Sequence, residues 1–348
     1  MAMAIATIGV DLAKNVFQVH GVDDVGKVVV WRALRRREML SFFGGLAPWL
    51  VGMEACATAH HWARELARLG HEVRLMPPAY VKPYVKRNKN DMADAEAICE
   101  AVMRPTMRFV AVKSTEQQAV LMLHRSRALL VRQRTMLANA VRAHLAEFGI
   151  VAGLGVSNVM SAARDLLRPD NCVGAPEGSA IPDLVLIALA PLMTAMEDLG
   201  VRIKRLELEI ARWHRTNETS RRLETIPGVG VMTASALSAS IAEPSMFASG
   251  REFAAWLGLT PRQNSSGGNE RLGGITKMGD RYLRTLLVIG ATAVIRYAKE
   301  EGSAKTAWIR KLLDKKPAKV VAVALANKMA RIAWVLMTRR ETYRAVPA

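Results

Sequence analysis

The stretch AIATIGVDLAKNVFQVHGVDDVGKVVVW, residues 4–31, decides how the first part of the chain is read. Its apolar and β-branched runs, Ala4–Val10, Val16–Val22 and Lys27–Trp31, are separated by short segments carrying acidic residues and glycine. That pattern predicts three antiparallel strands joined by tight turns. Downstream the pattern alternates: a helix over Arg35–Gly44, a strand over Trp49–Met53, and a helix over Ala59–Leu69 ended by Gly70. A strand over Glu72–Met76, stopped by Pro77 and Pro78, and a helix from about Asp91 to Met103 complete it. A meander followed by alternating helix and strand predicts an α/β domain with a mixed sheet, over residues 1–110.

The character then changes. Ser114–Phe148 reads as one long helix, with Leu123, Leu130 and Leu137 seven apart and Arg125, Arg127, Arg132, Arg134 and Arg142 along it. A second long helix, Asp183–Trp213, carries Leu192, Met196, Leu199, Ile203, Leu206, Ile210 and Trp213 at steps of four and three, a coiled-coil seam. Residues 151–182 hold Gly, Pro, Asn and Asp and read as the tip of a hairpin. An antiparallel coiled-coil arm or dimerising stalk over 111–218 results, an ordinary helical core being the other reading of the seam. Residues 219–348 form an all-α unit with a Gly-rich insertion at Ser265–Gly274.

Half of the 348 residues are hydrophobic (51%), enough for a sizeable core, which excludes wholesale disorder. The 49 Lys and Arg against 31 Asp and Glu give a formal charge of +18, so a polyanion is the expected partner, nucleic acid ahead of a membrane surface. The opening MAMAIATIGV lacks a basic n-region and runs into Asp11, so it reads as a strand, not a secretory leader. We expect no membrane span, since no stretch approaches the roughly 18–20 apolar residues required. Cys56, Cys99 and Cys172 match no zinc or disulfide spacing, which suits small core residues in a reducing compartment, and a cytoplasmic location is expected.

Four acids carry the chemistry. Asp11 follows the first strand in IGVDLAK and Glu54 ends another in VGMEAC, while Asp91 and Asp94, three apart, share one face at the start of a helix. Crossovers in such a sheet bring these places together. Crowded carboxylates raise one another's pKa, a repulsion that divalent cations relieve, and all-oxygen ligands favour magnesium or manganese. Two such ions suit phosphoryl transfer. Taken singly, each acid is more often a turn residue or a first-turn helix residue than a catalytic one.

Two further motifs point to phosphate. LETIPGVGVMTASALSASI, residues 223–241, resembles a helix-hairpin-helix, in which Gly228 and Gly230 let backbone N–H groups approach a DNA phosphate; a plain interhelical turn is the alternative. WLGLTPRQNSSGGNERLGGITKMGDRYLRTLL, residues 256–287, sets a serine pair on a glycine-rich loop flanked by Arg262, Arg271, Lys277, Arg281 and Arg284. Such a loop either presents a hydroxyl nucleophile or grips phosphate without covalent chemistry.

Together, IGVDLAK, GMEAC, KNDMADAEAI, IPGVGVMTASAL, FAAWLGLTPRQNSSGG, GDRYLRTLL and ANKMARIAWVLM resemble the DEDD transposases of RNA-guided insertion sequences, relatives of the Piv-type DNA invertases. The likeness runs from about residue 6 to 337. It implies an RNase H-like (RuvC-like) domain, a coiled-coil arm and a C-terminal transposase domain. By position, Asp11, Glu54, Asp91 and Asp94 become ligands of magnesium and Ser266, before Gly267, the nucleophile, with Ser265 its immediate neighbour. The likeness implies donor and target DNA and a structured guide RNA as partners, and a homo-oligomer (dimer or tetramer) whose active sites combine subunits. Asn269 and Met278 stand where basic residues are expected. Competing readings are a junction-resolving nuclease using activated water, a non-enzymatic nucleic-acid-binding protein, and a sugar-kinase-like phosphotransferase; the last lacks its glycine-rich nucleotide loops.

Overall fold

Alternating apolar residues and short turns produce the expected meander in the computed structural model, which describes residues 5–86, 91–166, 181–264, 271–298 and 307–344. β1 (Ile5–Leu12), β2 (Val16–Asp23) and β3 (Val28–Arg35) are antiparallel neighbours. The Asp23 carboxylate accepts the Val25 and Lys27 N–H groups (3.1 and 2.7 Å), and Gly26 takes φ +84°, which fixes the β2–β3 turn. β3 continues to Arg35, whose N–H donates to Glu38 Oε2 (2.9 Å); a 3-10 turn over Arg36–Glu38 then runs into α1 (Met39–Gly44), so helical structure begins within a residue of where the sequence suggested. β4 (Leu50–Glu54), α2 (Ala59–Arg68), β5 (Glu72–Met76), the one-turn α3 (Pro78–Val81) and α4 (Asp91–Val102) follow. β4 joins β1 in parallel and β5 joins β4, giving the order β3-β2-β1-β4-β5.

A period of two divides the sheet's residues between its faces. Ile8, Val10, Val51, Met53 and Leu75 pack with Phe43 of α1 and with Trp62, Ala63 and Leu66 of α2 in one core. Gly9 and Gly52 face the other side, beneath α4. The resulting three-layer mixed α/β unit is consistent with the RNase H-like domain implied by the motifs.

The chain divides into two compact units, residues 1–117 with 241–248 and residues 118–240 with 249–348. α5 (Thr115–Glu147) leads into the second, followed by α6 (Val156–Leu166) and α7 (Asp183–Thr216). α5 and α7 run antiparallel: Arg127 pairs with Glu207 (2.6 Å), and about two turns further along α5, Arg134 lies beside Gly200, earlier in α7. The buried line of α7 is Leu189, Met193, Met196, Ile203, Ile210 and His214. Met196, Ile203 and Ile210 are therefore placed as the periodicity predicts, whereas Leu192, Leu199, Leu206 and Trp213 flank the line half-buried. The segment expected to be only a hairpin tip contains α6, whose Val159, Met160 and Ala163 pack with Val141, Leu145, Leu189 and Met193. Residues 167–180 of that segment lie outside the described residues.

α8 (Glu218–Glu224), α9 (Val231–Ser240), α10 (Gly250–Trp256), the hairpin β6 (Pro261–Gln263) and β7 (Leu272–Ile275), α11 (Arg281–Ala298), α12 (Ala307–Leu313) and α13 (Ala318–Arg339) complete the unit. The unit is mostly helical, and the two short strands flank the Gly-rich insertion that the sequence marks at Ser265–Gly274. A correction concerns apolar length: α7 and α13 are each long and apolar enough to cross a membrane by length and composition alone. In α13 the apolar character belongs to a core helix, with Ala322, Ala326, Ala330 and Ala333 buried between charged Lys328 and Arg331 on another face.

Candidate active site

The sheet brings two of the four acids side by side. In the parallel β1–β4 pair Gly9 is opposite Gly52 and Val10 opposite Met53, so Asp11 and Glu54 are the next residues on adjacent strands. Both lie two positions beyond a glycine and therefore point to the face that carries α4. A Cβ on Gly9 would fall against Ala95 O, Cys99 N and Cys99 Cα (2.8 Å), and one on Gly52 against Val102 Cβ (2.8 Å). Only glycine lets the α4 backbone settle this closely on the sheet. Cys99, buried in that contact, has its thiol pKa pushed up to about 11 by burial, and its Sγ donates to Thr7 O (3.7 Å).

This seating carries the start of α4 to the strand ends. Glu54 is held above the usual carboxylate range, first by burial and then by the negative charges of Asp11 and Asp94. The neighbouring acids of α4 are neutralised: Glu96 pairs with Lys86 (2.6 Å) and Glu100 with Arg104. Asp94 makes no ion pair among the described residues, and its charge bears on Glu54. Asp91 opens α4 one turn earlier; its side chain lies outside the described residues. Among the described residues no three His, Cys, Asp or Glu side chains stand close enough to form a ready ligand set. The sequence reading passed over Gly9 and Gly52, although their signal is plain: a glycine two residues ahead of each strand-end acid.

In the second unit, Gly228 (φ +85°) sits in the turn between α8 and α9, where a Cβ would meet Val294 Cγ2 (2.7 Å) and Gly290 O (2.8 Å) of α11. Its need for glycine is thus a backbone contact with α11, while Gly230 is exposed with open space around it. Arg262 on β6, Arg271, Lys277 and Arg281 are exposed around the hairpin, and Lys277 takes φ +56°. The hairpin's base is closed by Thr276 N–H to Thr260 O (2.9 Å) and Lys277 N–H to Gly258 O (3.2 Å). Arg284 braces the hairpin base: its guanidinium donates to Leu257 O (2.9 Å) and Met278 O (3.1 Å). Ser265 and Ser266, with Asn269, lie outside the described residues. On α5, Arg125 and Arg132 are exposed, while Arg134 is half-buried, its Nε enclosed without a hydrogen-bond partner.

Acids gathered at adjacent strand ends under a helix, in a strongly basic chain, suit the DEDD class of transposase, and a model of that domain matches residues 8–150. A second, described as Transposase IS116/IS110/IS902 family, matches residues 220–307. The chain belongs to this family of insertion-sequence transposases. A probable family 20 transposase of Pseudomonas aeruginosa is 51% identical over 98% of this chain and 99% of its own. The transposase for insertion sequence element IS1111A of Coxiella burnetii is 40% identical over 98% and 92%. That for IS1328 of Yersinia enterocolitica is 39% identical over 96% and 97%. The protein is therefore a DNA-cleaving and recombining enzyme, and its DEDD domain implies a divalent metal.

Proposed function

We propose that Asp11, Glu54, Asp91 and Asp94 hold magnesium, which manganese can replace, and that Ser266 is the nucleophile of DNA strand exchange. The observation that carries the reading is the like-charge crowding of Glu54 by Asp11 and Asp94, the condition a divalent cation relieves. The donor set is all oxygen, which fits a hard cation. When bound, the metal supplies Lewis-acid stabilisation of charge on the phosphodiester. Ser266 Oγ attacks phosphorus, forming a phosphoester with the chain and releasing a strand end; attack by the hydroxyl of another strand reverses the step and joins it. Arg262, Arg271, Lys277 and Arg281 surround the hairpin and neutralise the phosphate during this exchange.

In the same reading residues 1–110 are the catalytic domain, 111–218 a coiled-coil arm and 219–348 the serine-bearing transposase domain. The turn at Gly228 and Gly230 acts as a helix-hairpin-helix on phosphate, and Arg125, Arg132 and Arg134 follow the nucleic-acid backbone. A structured RNA guides target choice, and a dimer or tetramer combines acids and serine from different subunits. The family relationship and the +18 charge support this part.

The test is strand cleavage with Asp11→Ala and Asp94→Ala. Each should lose cleavage while nucleic-acid binding stays within about two-fold, and retained cleavage in both overturns the metal assignment. Ser266→Ala should abolish any covalent protein–DNA species on a denaturing gel; loss only in Ser265→Ala moves the nucleophile to that residue. If the acids are required and neither serine variant changes the products, activated water is the nucleophile instead.

A further inference from the structure

α10, α13 and the tail that follows enclose an open groove of about 1390 Å³ within the second unit. Small-molecule pockets occupy roughly 300–1,000 Å³, so this space suits a segment of polymer. Its lining says which polymer. Arg251, Lys328, Arg331 and Arg344 face it against one carboxylate, Glu341, and none of the four cations is in an ion pair among the described residues. Along α13, Ala324, Lys328, Arg331 and Val335 recur at helical spacing, so cationic heads and an apolar floor share one stripe. Trp308 of α12 lines the groove 39% exposed, with Lys328 Nζ 4.6 Å from its ring centroid. The tail is anchored by Tyr343, whose backbone N–H donates to Thr225 Oγ1 (2.9 Å).

We infer that this groove holds a single-stranded nucleic acid, its phosphates on Arg251, Lys328, Arg331 and Arg344 and one base stacked at Trp308. A duplex satisfies the charges but keeps its bases stacked inside, out of reach of an indole. An acidic peptide satisfies the charges and leaves the aromatic ring unused. A single strand uses both, which is how sequence-tolerant strand-binding surfaces work. Recombination frees such strands, and the groove uses none of the four acids or the serine loop, so the inference is independent of the catalytic assignments above.

The experiment is fluorescence anisotropy with the full chain, without added divalent cation, using labelled oligo-dT, oligo-rU and a duplex of about 20 nucleotides, longer than a typical site. Trp308→Ala should weaken single-strand binding by about 5- to 150-fold, the loss expected for one stacked base, with duplex binding changed less than about two-fold. Trp308→Phe, which keeps a stacking face, should restore most of it and shows that the effect is not misfolding. Lys328→Gln with Arg331→Gln should lower the salt slope for the single strand by about 1.4, near 0.7 for each phosphate no longer neutralised. Tighter binding of dT assigns the groove to a DNA strand freed during exchange; tighter binding of rU assigns it to an RNA. Equal weakening of duplex and single strand by Trp308→Ala, no weakening of either, or displacement of oligo-dT by polyglutamate as readily as by unlabelled oligo-dT overturns the inference.

Discussion

Replacing Gly9 by alanine pushes a methyl group into the backbone of α4. Cys99 Cα, 2.8 Å from the new carbon, has to retreat by about 0.6 Å to reach ordinary contact at 3.4 Å, and Ala95 O and Cys99 N, nearer still, have to move further. These are helix backbone atoms, so a rotamer change cannot absorb the clash and the helix lifts as a body by about 1 Å. Two consequences follow. Overpacking of this kind costs about 1–3 kcal/mol of stability, and Asp94, next to Ala95, is carried away from Glu54. A displacement near 1 Å costs about 100-fold in a positioned reaction. Thermal denaturation and the single-turnover rate of strand cleavage measure the two effects. Gly21→Ala is the control, because its Cβ meets Val30 Cβ at 3.1 Å and Ile8 Cγ1 at 3.5 Å, side chains remote from α4, and it should leave the cleavage rate within about three-fold. Wild-type stability and cleavage in Gly9→Ala would refute the argument that close seating of α4 assembles the acids.

Other expectations are more local. Arg125→Gln with Arg132→Gln should lower the salt slope of duplex binding by about 1.8, near 0.9 for each phosphate, whereas Arg134→Gln, half-buried beside Gly200, should act mainly on melting temperature; an unchanged slope assigns the exposed pair to solvent. His124 is buried, accepts from Tyr282 OH at Nδ1 (3.0 Å) and donates from Nε2 to Ser235 Oγ (3.1 Å), whose own hydroxyl donates to Val231 O. Burial, then the Arg127 charge, pushes its pKa down to about 4, so between about pH 6.5 and 4 the unfolded chain binds a proton that the folded chain does not. Stability present above that range should fall as pH drops, by about 2 kcal/mol at pH 5. His124→Gln should flatten this slope in urea titrations at several pH values, and a slope equal to wild type removes His124 as its source. Gly258→Ala, at φ +72° with Met278 backbone against the new carbon, should loosen the hairpin base, read as faster proteolysis around residues 257–280 with little change in the first unit.

Much of the first unit is legible because short-range chemistry writes it. The acidic turn at Asp23 and the β-branched runs around it set a meander that the residues themselves announce, and Gly70 and Pro77 mark the ends of α2 and β5. Legibility fails where a distant partner decides. The leucines at 123, 130 and 137 stand out by their seven-residue spacing, yet they are only half-buried and the buried residues of α5 include Ala138, Val141 and Leu145, because α6 covers that end from a segment that reads as loop. Gly228 carries the signature of a phosphate turn, and its structural demand proves to be a contact with Gly290, some 60 residues away along the sequence. Of the candidate site, the placing of Asp11 and Glu54 at strand ends and of Asp91 and Asp94 at a helix start could be read from the residues; glycines at 9 and 52 stand two residues ahead of the strand-end acids, but that their neighbours lie on α4 is decided by packing and not by local pattern.

The contact between Gly228 and Gly290 has a mechanical meaning. It fastens the α8–α9 turn to α11 through main-chain atoms, and α11 begins at Arg281, six residues after β7 ends at Ile275. At 1.5 Å per residue, the fastening point and the helix start are about 14 Å apart along the axis, close to four base-pair rises of B-form DNA. One rod thus joins the α8–α9 turn to the base of the β6–β7 hairpin, which Arg284 of α11 holds at Leu257 O and Met278 O, so a load on either is passed to the other through these contacts.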